Sequence, residues 1–298
     1  MRATHPYLLV GVDGGGTGCR VAICEPGGAR LSEAQGGPAN FTTDPRASVE
    51  NIHKALVSAA TDAGLDSMGW KDRCIAHAGL AGVMGQADAD AVASGLGFQN
   101  ISVTDDRATS VAGALRGEDG ILAAIGTGTI VAVSSGSSVR YFGGWGHELA
   151  DQASGGWLGH DALRLTLLAY DGFTENSNLT NDILRHFDND PLNIVGFVQS
   201  AEPGDYAGFA PMVVEAARAG DTNATSLMEK GVAYLNTCIR ISGSGPDTAI
   251  CLSGGVGPQY QPYLEPAYQD RVRPPHGNAL DGALFLADQK TSDMKGAS

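Results

Sequence analysis

Basic residues are scarce in this 298-residue chain: 19 Lys and Arg stand against 33 Asp and Glu, a formal net charge of −14. A protein that grips a nucleic-acid duplex or lies on an anionic bilayer needs the opposite field, so neither partner is expected. Long apolar runs are missing as well. None approaches the ~20 residues of a membrane-spanning helix. The opening residues Met1 to Pro6 lead straight into the apolar stretch 7–12, too short for a secretory signal core, so a cytoplasmic chain is expected. Cysteine is sparse: Cys19, Cys24, Cys74, Cys238 and Cys251 are odd in number, scattered and without a C-x-x-C. That spacing disfavours a disulfide framework and a thiolate zinc or iron–sulfur site, leaving reduced, buried, small hydrophobic side chains. Charged residues make up only 17% and hydrophobic residues 43%, the balance of an ordinary folded protein.

What the chain has in excess is glycine. Its 42 glycines are roughly twice the usual share, and the surplus belongs in turns and where backbone approaches something closely. The first apolar strand, 7–12, stops at Asp13-Gly14-Gly15-Gly16-Thr17. Strands follow at 19–25 and 30–35, separated by Pro26-Gly27-Gly28. A helix begins at Pro45, capped by Asp44 and ended before Gly64, with Val49, Ile52, Leu56, Val57 and Ala60 as its apolar stripe. Strands at 74–78 and 101–103 flank a helix at 87–94. From Gly120 the opening order of strand, Gly/Thr loop, strand, turn and strand returns: strand 121–125, loop Gly126-Thr127-Gly128-Thr129, strands 130–134 and 139–142. Helices are expected at 156–168, 212–218, 225–241 and 278–288, with one more strand, 248–252, ending at Ser253-Gly254-Gly255. The tail from Thr291 is small and polar and is expected to be disordered. The alternation points to an α/β fold with largely parallel sheets, in two similar halves that each present a glycine loop.

Three strand-to-glycine junctions therefore stand out. A lone junction is as well explained by a tight turn. Three together, with Asp13 leading the first and threonine following two of them, suit backbone N–H groups closing on phosphate oxygens. Asp13 adds a hard oxygen ligand for magnesium, directly or through water. Neither a G-x-x-x-x-G-K-[ST] loop nor a strict G-x-G-x-x-G is present, which disfavours P-loop and Rossmann readings. Asp105-Asp106 closes a strand and precedes the helical stretch 108–115. A carboxylate there can orient a substrate hydroxyl and accept its proton, or cap the helix. Asp151 lies in a polar stretch after Gly143-Gly144-Trp145-Gly146-His147-Glu148. Trp145 offers a face for a sugar ring or a core side chain, and His147 and His160 read as structural or surface residues.

These motifs in succession resemble the bacterial glucosamine kinases and N-acetylglucosamine kinases, and the wider BadF/BadG/BcrA/BcrD ATPase family. The resemblance is carried by Val-Gly-Val-Asp-Gly-Gly-Gly-Thr-Gly-Cys-Arg-Val at 10–21, residues 36–40, 125–129, 143–146 and 151–155, Asp205-Tyr206-Ala207-Gly208-Phe209 and Gly282-Ala283-Leu284. It runs over nearly the whole chain. It implies two ribonuclease-H-like domains of the actin-like ATPase fold, each a mixed, mostly parallel sheet flanked by helices, around an ATP and sugar cleft. The domains expected are residues 1–106, completed by a helix at about 278–290, and residues 107–277.

The resemblance also implies residue roles. Gly14, Gly15, Gly16 and Thr17 match a first phosphate loop, Gly126, Thr127, Gly128 and Thr129 a second, and Ser253, Gly254 and Gly255 an adenosine-side loop. Asp106 matches the catalytic base, and Asn40, Trp145 and Asp151 match sugar-binding positions. ATP and Mg²⁺ are the implied cofactors, with Asp13 on the metal side, and a homodimer the implied assembly. Ile130 stands where the N-acetylglucosamine kinases carry an asparagine, which favours free glucosamine, whereas Trp145 resembles the N-acetyl enzymes. The implied activity is phosphorylation of the 6-hydroxyl of an amino sugar. The alternatives are an ATPase activator of a 2-hydroxyacyl-CoA dehydratase, or a sugar and nucleotide sensor without turnover.

Overall fold

A computed structural model describes residues 7–65 and 69–296, with side chains described to residue 291. The opening residues behind the cytoplasmic expectation, Met1 to Pro6, lie outside it. The chain divides into two compact units, Met1–Gly117 with Pro275–Ser298, and Glu118–Pro274.

In the first unit, β1 (Leu8–Gly14), β2 (Cys19–Cys24) and β3 (Arg30–Gly36) form an antiparallel meander, followed by α1 (Pro45–Asp62). Asp44 caps α1 by accepting from the Ala47 N–H, and Pro45 takes its first position. The buried side of α1 holds Ser48, Ile52, Ala55, Leu56, Ala59 and Ala60. Val57, expected in that stripe, is 52% exposed. It is one residue past Leu56, about 100° further round the helix and off the buried face. Next come β4 (Cys74–Leu80), α2 (Gln86–Leu96), β5 (Asn100–Asp105) and α3 (Asp106–Leu115). The sheet order is β3-β2-β1-β4-β5, with β1–β4 and β4–β5 parallel.

The second unit repeats the opening: β6 (Gly120–Ile125), β7 (Thr129–Ser135) and β8 (Ser138–Gly143) are an antiparallel meander. Then follow α4 (Gly155–Tyr170), α5 (Asn178–His186), α6 (Pro191–Val198), α7 (Pro203–Ala207), α8 (Ala210–Arg218), α9 (Thr222–Ser242), β9 (Ala249–Ser253), α10 (Pro266–Gln269) and β10 (Val272–Arg273). Its sheet order is β10-β9-β6-β7-β8, with β6–β9 and β9–β10 parallel. In both sheets half of the pairings are parallel, where the strand–helix alternation suggested a parallel majority. Each meander contributes the antiparallel half.

The last helix, α11 (Ala279–Gly296), returns to the first unit. It lies against β1 and α3 through glycines: a Cβ on Gly113 would sit 2.0 Å from the Asn278 carbonyl oxygen, and one on Gly282 1.9 Å from that of Thr109. Because α3 is held by α11, it belongs to the first unit, and the division falls after Gly117, not after Asp106. The tail expected to be disordered from Thr291 continues α11 to Gly296. Lys290 Nζ donates to the Ile101 carbonyl at 3.1 Å and Thr291 Oγ1 to Asp288 at 2.7 Å, which ties the end down.

Candidate functional site

In the first unit the hairpin of β1 and β2 sets Asp13 opposite Arg20 and ends in the loop Gly15 to Gly18, closed by Gly15 N–H to the Gly18 carbonyl at 2.9 Å. The loop glycines have different reasons to be glycine. A Cβ on Gly14 would lie 2.4 Å from Leu80 Cδ2 and 3.1 Å from Ala39 Cβ, so this residue is required by packing. A Cβ on Gly16 would meet nothing within 4 Å. Gly16 and Thr17 are exposed, their backbone open to a ligand. Arg20 holds Asp13 through two donors on one oxygen, Nη2 at 2.6 Å and Nε at 3.2 Å to Oδ2.

The two carboxylates at the start of α3 separate in role. Asp105 is the cap: Oδ1 accepts from Ala108 N–H at 3.1 Å and Oδ2 from Arg107 Nε at 2.6 Å. Asp106, the first helical residue, bonds no other residue through its carboxylate among those described. Burial pushes its proton affinity up, the charges of Asp105 and Asp13 add to this, and its own N–H and Arg107 work the other way. Asp106 is therefore a half-buried carboxylate near Asp13 with its oxygens uncommitted.

Asn40 is tied to the same loop by Ala39 N–H, which donates to the Gly15 carbonyl at 2.9 Å. Its Oδ1 is spent locally on the N–H groups of Thr42 (3.1 Å) and Thr43 (3.3 Å), which leaves the amide NH₂ as the group able to meet a ligand.

In the second unit, Gly126 N–H closes on the Gly128 carbonyl at 3.0 Å. The Gly126 and Thr127 carbonyls accept from Gly155 (2.7 Å) and Gly156 (3.1 Å), which joins this loop to the start of α4. Gly254, at φ +80°, packs so closely that a Cβ would lie 2.2 Å from the Ile125 carbonyl oxygen. The second and third glycine junctions are thus one structure. Beside them lies a cavity of about 410 Å³ lined by Gly126, Thr127, Gly155, Gly255, Ala207, Pro211, Val214, Glu215, Arg218 and Gln259. The last five are residues that sequence reasoning missed. Glu215 and Arg218 stand three apart on α8, a spacing that reads as an ordinary solvated helix face.

Asp151 is buried in a left-handed conformation, φ +64°. Its Oδ2 lies 2.9 Å from where a Gly128 Cβ would stand, so this carboxylate leans on the second loop. Burial raises its proton affinity, which the Thr129 N–H and the charge of His147 partly offset. Trp145 is 77% exposed on a turn whose neighbours Gly144 and Gly146 have positive φ, which removes the alternative of a core tryptophan. His147 stacks on Tyr206 with centroids 5.1 Å apart and meets His160 edge-on at 5.9 Å, a structural cluster. The buried Thr129 hydroxyl and His147 Nδ1 make no hydrogen bond among the described residues.

Two mixed five-stranded sheets built on the same meander, each opening a glycine loop, define the actin-like ATPase class to which sugar kinases belong. Within that class, the model of the BadF/BadG/BcrA/BcrD ATPase family matches residues 10–279, and the chain belongs to this family. It is 30% identical over 290 residues to the glucosamine kinase GspK of Vibrio cholerae, covering 96% of this chain and 97% of that one. It is 29% identical over 184 residues to the N-acetylmuramic acid/N-acetylglucosamine kinase of Clostridium acetobutylicum, covering 59% and 58% of the two chains. Among solved structures, that of a proposed N-acetylglucosamine kinase from Chromobacterium violaceum superposes with a TM-score of 0.87 at 33% identity, over 94% of this chain and 99% of that one.

Proposed function

We propose that this protein is an ATP- and Mg²⁺-dependent amino-sugar kinase that phosphorylates the 6-hydroxyl of glucosamine or N-acetylglucosamine. The observation that carries the reading is Asp106: an uncommitted carboxylate at a helix start, with proton affinity raised by burial, in the unit that holds the first glycine loop and Asp13. The sugar O6 bonds to the γ phosphorus as the bond to the β–γ bridging oxygen breaks, and the hydroxyl proton passes to Asp106. The 6-hydroxyl is the least crowded alcohol of a hexosamine.

On this reading Gly15, Gly16 and Thr17 bind phosphate, as do Gly126 to Thr129, while Gly14 supports the first loop by packing against Leu80 and Ala39. Ser253 to Gly255 and the adjoining cavity take the adenosine. Asn40, Trp145 and Asp151 meet the sugar. The residues present fit magnesium. Among those described, no cluster of three or more His, Cys, Asp or Glu could cage a metal, but this ion keeps phosphate oxygens and waters and asks for only one or two carboxylates. Asp13 supplies one, its Oδ1 being the oxygen not bonded to Arg20. When bound, the ion neutralises charge building up between the β and γ phosphates.

Cytoplasmic ATP suits this activity, and the apolar residues Leu192, Val195 and Val198, exposed along α6, support a homodimer. The dehydratase-activator alternative needs cysteines able to reach a cluster, whereas all five here are buried. The test is ADP release from ATP with glucosamine, N-acetylglucosamine, glucose and mannosamine. Asp106→Asn is expected to lower kcat by about 10²–10⁴-fold, the usual worth of a positioned base, with sugar binding retained. Near-normal turnover in that variant removes Asp106 from its role, and ATP and sugar binding without ADP release leaves a sensor.

A further inference from the structure

His77 is a buried titratable side chain that the reaction above does not use. It lies in the middle of β4, 4% exposed, beside β5. Its Nδ1 is 2.9 Å from Ser102 Oγ and its Nε2 is 3.1 Å from Thr104 Oγ1. Thr104 Oγ1 in turn donates to the Asp105 carbonyl at 2.9 Å.

A hydroxyl has one proton. Thr104 gives its proton to the Asp105 carbonyl, so it must accept from His77, and Nε2 must carry a proton. In the neutral ring, Nδ1 is then bare and accepts from Ser102. Each donor has one acceptor: Ser102 to His77, His77 to Thr104, Thr104 to the carbonyl of Asp105. A neutral ring agrees with its surroundings, since burial and the charge of Lys290 bring the His77 pKa down to about 4. The chain ends on the peptide that joins Asp105 to Asp106, where β5 becomes α3.

We infer that His77 is a positioning residue for the reaction: through Thr104 it fixes the Asp105–Asp106 peptide and so aims the Asp106 carboxylate. This rests on Asp106 being the base. The Asp105 carboxylate secures the helix side of the turn through its cap, and the His77 relay secures the strand side. A side chain attached at the first helical position swings with any rotation of that peptide, and a misplacement of roughly 1 Å can cost about 100-fold in rate.

The test compares Thr104→Val, which keeps the shape and deletes the hydroxyl, with Thr104→Ser, which keeps it. It also compares His77→Gln, whose amide can reach the Nε2 position, with His77→Asn, whose amide cannot. Thr104→Val and His77→Asn are expected to lower kcat about 10- to 100-fold while KM for ATP and for the sugar stay within about twofold. Thr104→Ser and His77→Gln are expected to recover most of the loss. On an Asp106→Asn background, Thr104→Val is expected to cost almost nothing further, because both changes act through one carboxylate. In the wild-type protein, ¹⁵N chemical shifts of the imidazole should report the Nε2–H tautomer. A wild-type kcat in Thr104→Val while Asp106→Asn is inactive overturns the relay alone, as does an Nδ1–H tautomer. Full activity in Asp106→Asn overturns the base itself.

Discussion

Gly282→Ala puts a methyl group where α11 crosses α3, and the structure sets the size of the effect. The new carbon would stand 1.9 Å from the Thr109 carbonyl oxygen and 2.5 Å from the Gly113 nitrogen. It must retreat by more than about 1 Å to reach even the inner edge of van der Waals contact. Both obstacles are backbone, so no rotamer change relieves them and the helices must part. Overpacking typically costs about 1–3 kcal/mol, and this site belongs at or just above the top of that range. Alanine returns about 1 kcal/mol through its better helix propensity. The overlap wins, for a net loss of about 2–3 kcal/mol. At about 2–4 °C per kcal/mol, the first unit's melting temperature should fall by about 4–12 °C in scanning calorimetry. Because α3 begins with Asp106, kcat should fall as well, even at temperatures where the variant is fully folded. A melting temperature within about 2 °C of wild type would refute the packing argument.

Two further outcomes follow from the same residues. Asp106 has its proton affinity raised in the folded state, so the stability it contributes is fully present below the ordinary aspartate range and is lost as pH rises through its raised folded value. Asp106→Asn should therefore be more stable than wild type to urea at about pH 7, the difference vanishing near about pH 3; equal midpoints at both would show that the carboxylate carries no desolvation cost. The loop glycines should separate by assay. Gly16→Ala, with open space around the new Cβ, should leave the melting temperature unchanged and raise KM for ATP about tenfold, the worth of one hydrogen bond to a charged group. Gly14→Ala should lower the melting temperature instead, through its clash with Leu80. An unaltered KM in Gly16→Ala would make that loop a plain turn.

Much of this was legible along the chain. Short apolar runs ending in glycine marked β1, β6 and β9, and Asp44-Pro45 marked the start of α1, because caps and turns are local chemistry. The helices from α5 to α7 were not foreseen. They are short, and α6 is a near-continuous apolar stretch whose periodicity does not separate helix from strand. The end of α11 is not legible in the sequence, because a small polar tail looks unstructured until Lys290 finds a carbonyl on β5, 189 residues away in sequence.

The sequence by itself determined the two repeated meanders, the three glycine junctions and the candidate carboxylates, since each depends on neighbours a few residues apart. Only the tertiary structure decided which partners those residues meet. The Asp105-Asp106 dipeptide contains a cap and an uncommitted acid, and nothing in its spelling distinguishes them. The run from Gly14 to Gly16 joins a packing glycine to an open one, and Leu80 on a neighbouring strand makes the difference. His77 meets Ser102 and Thr104 only because β4 lies beside β5. Hydrogen-bond partners and close approaches are set by residues distant in the chain, so a role that rests on them is decided when the sheets and helices pack.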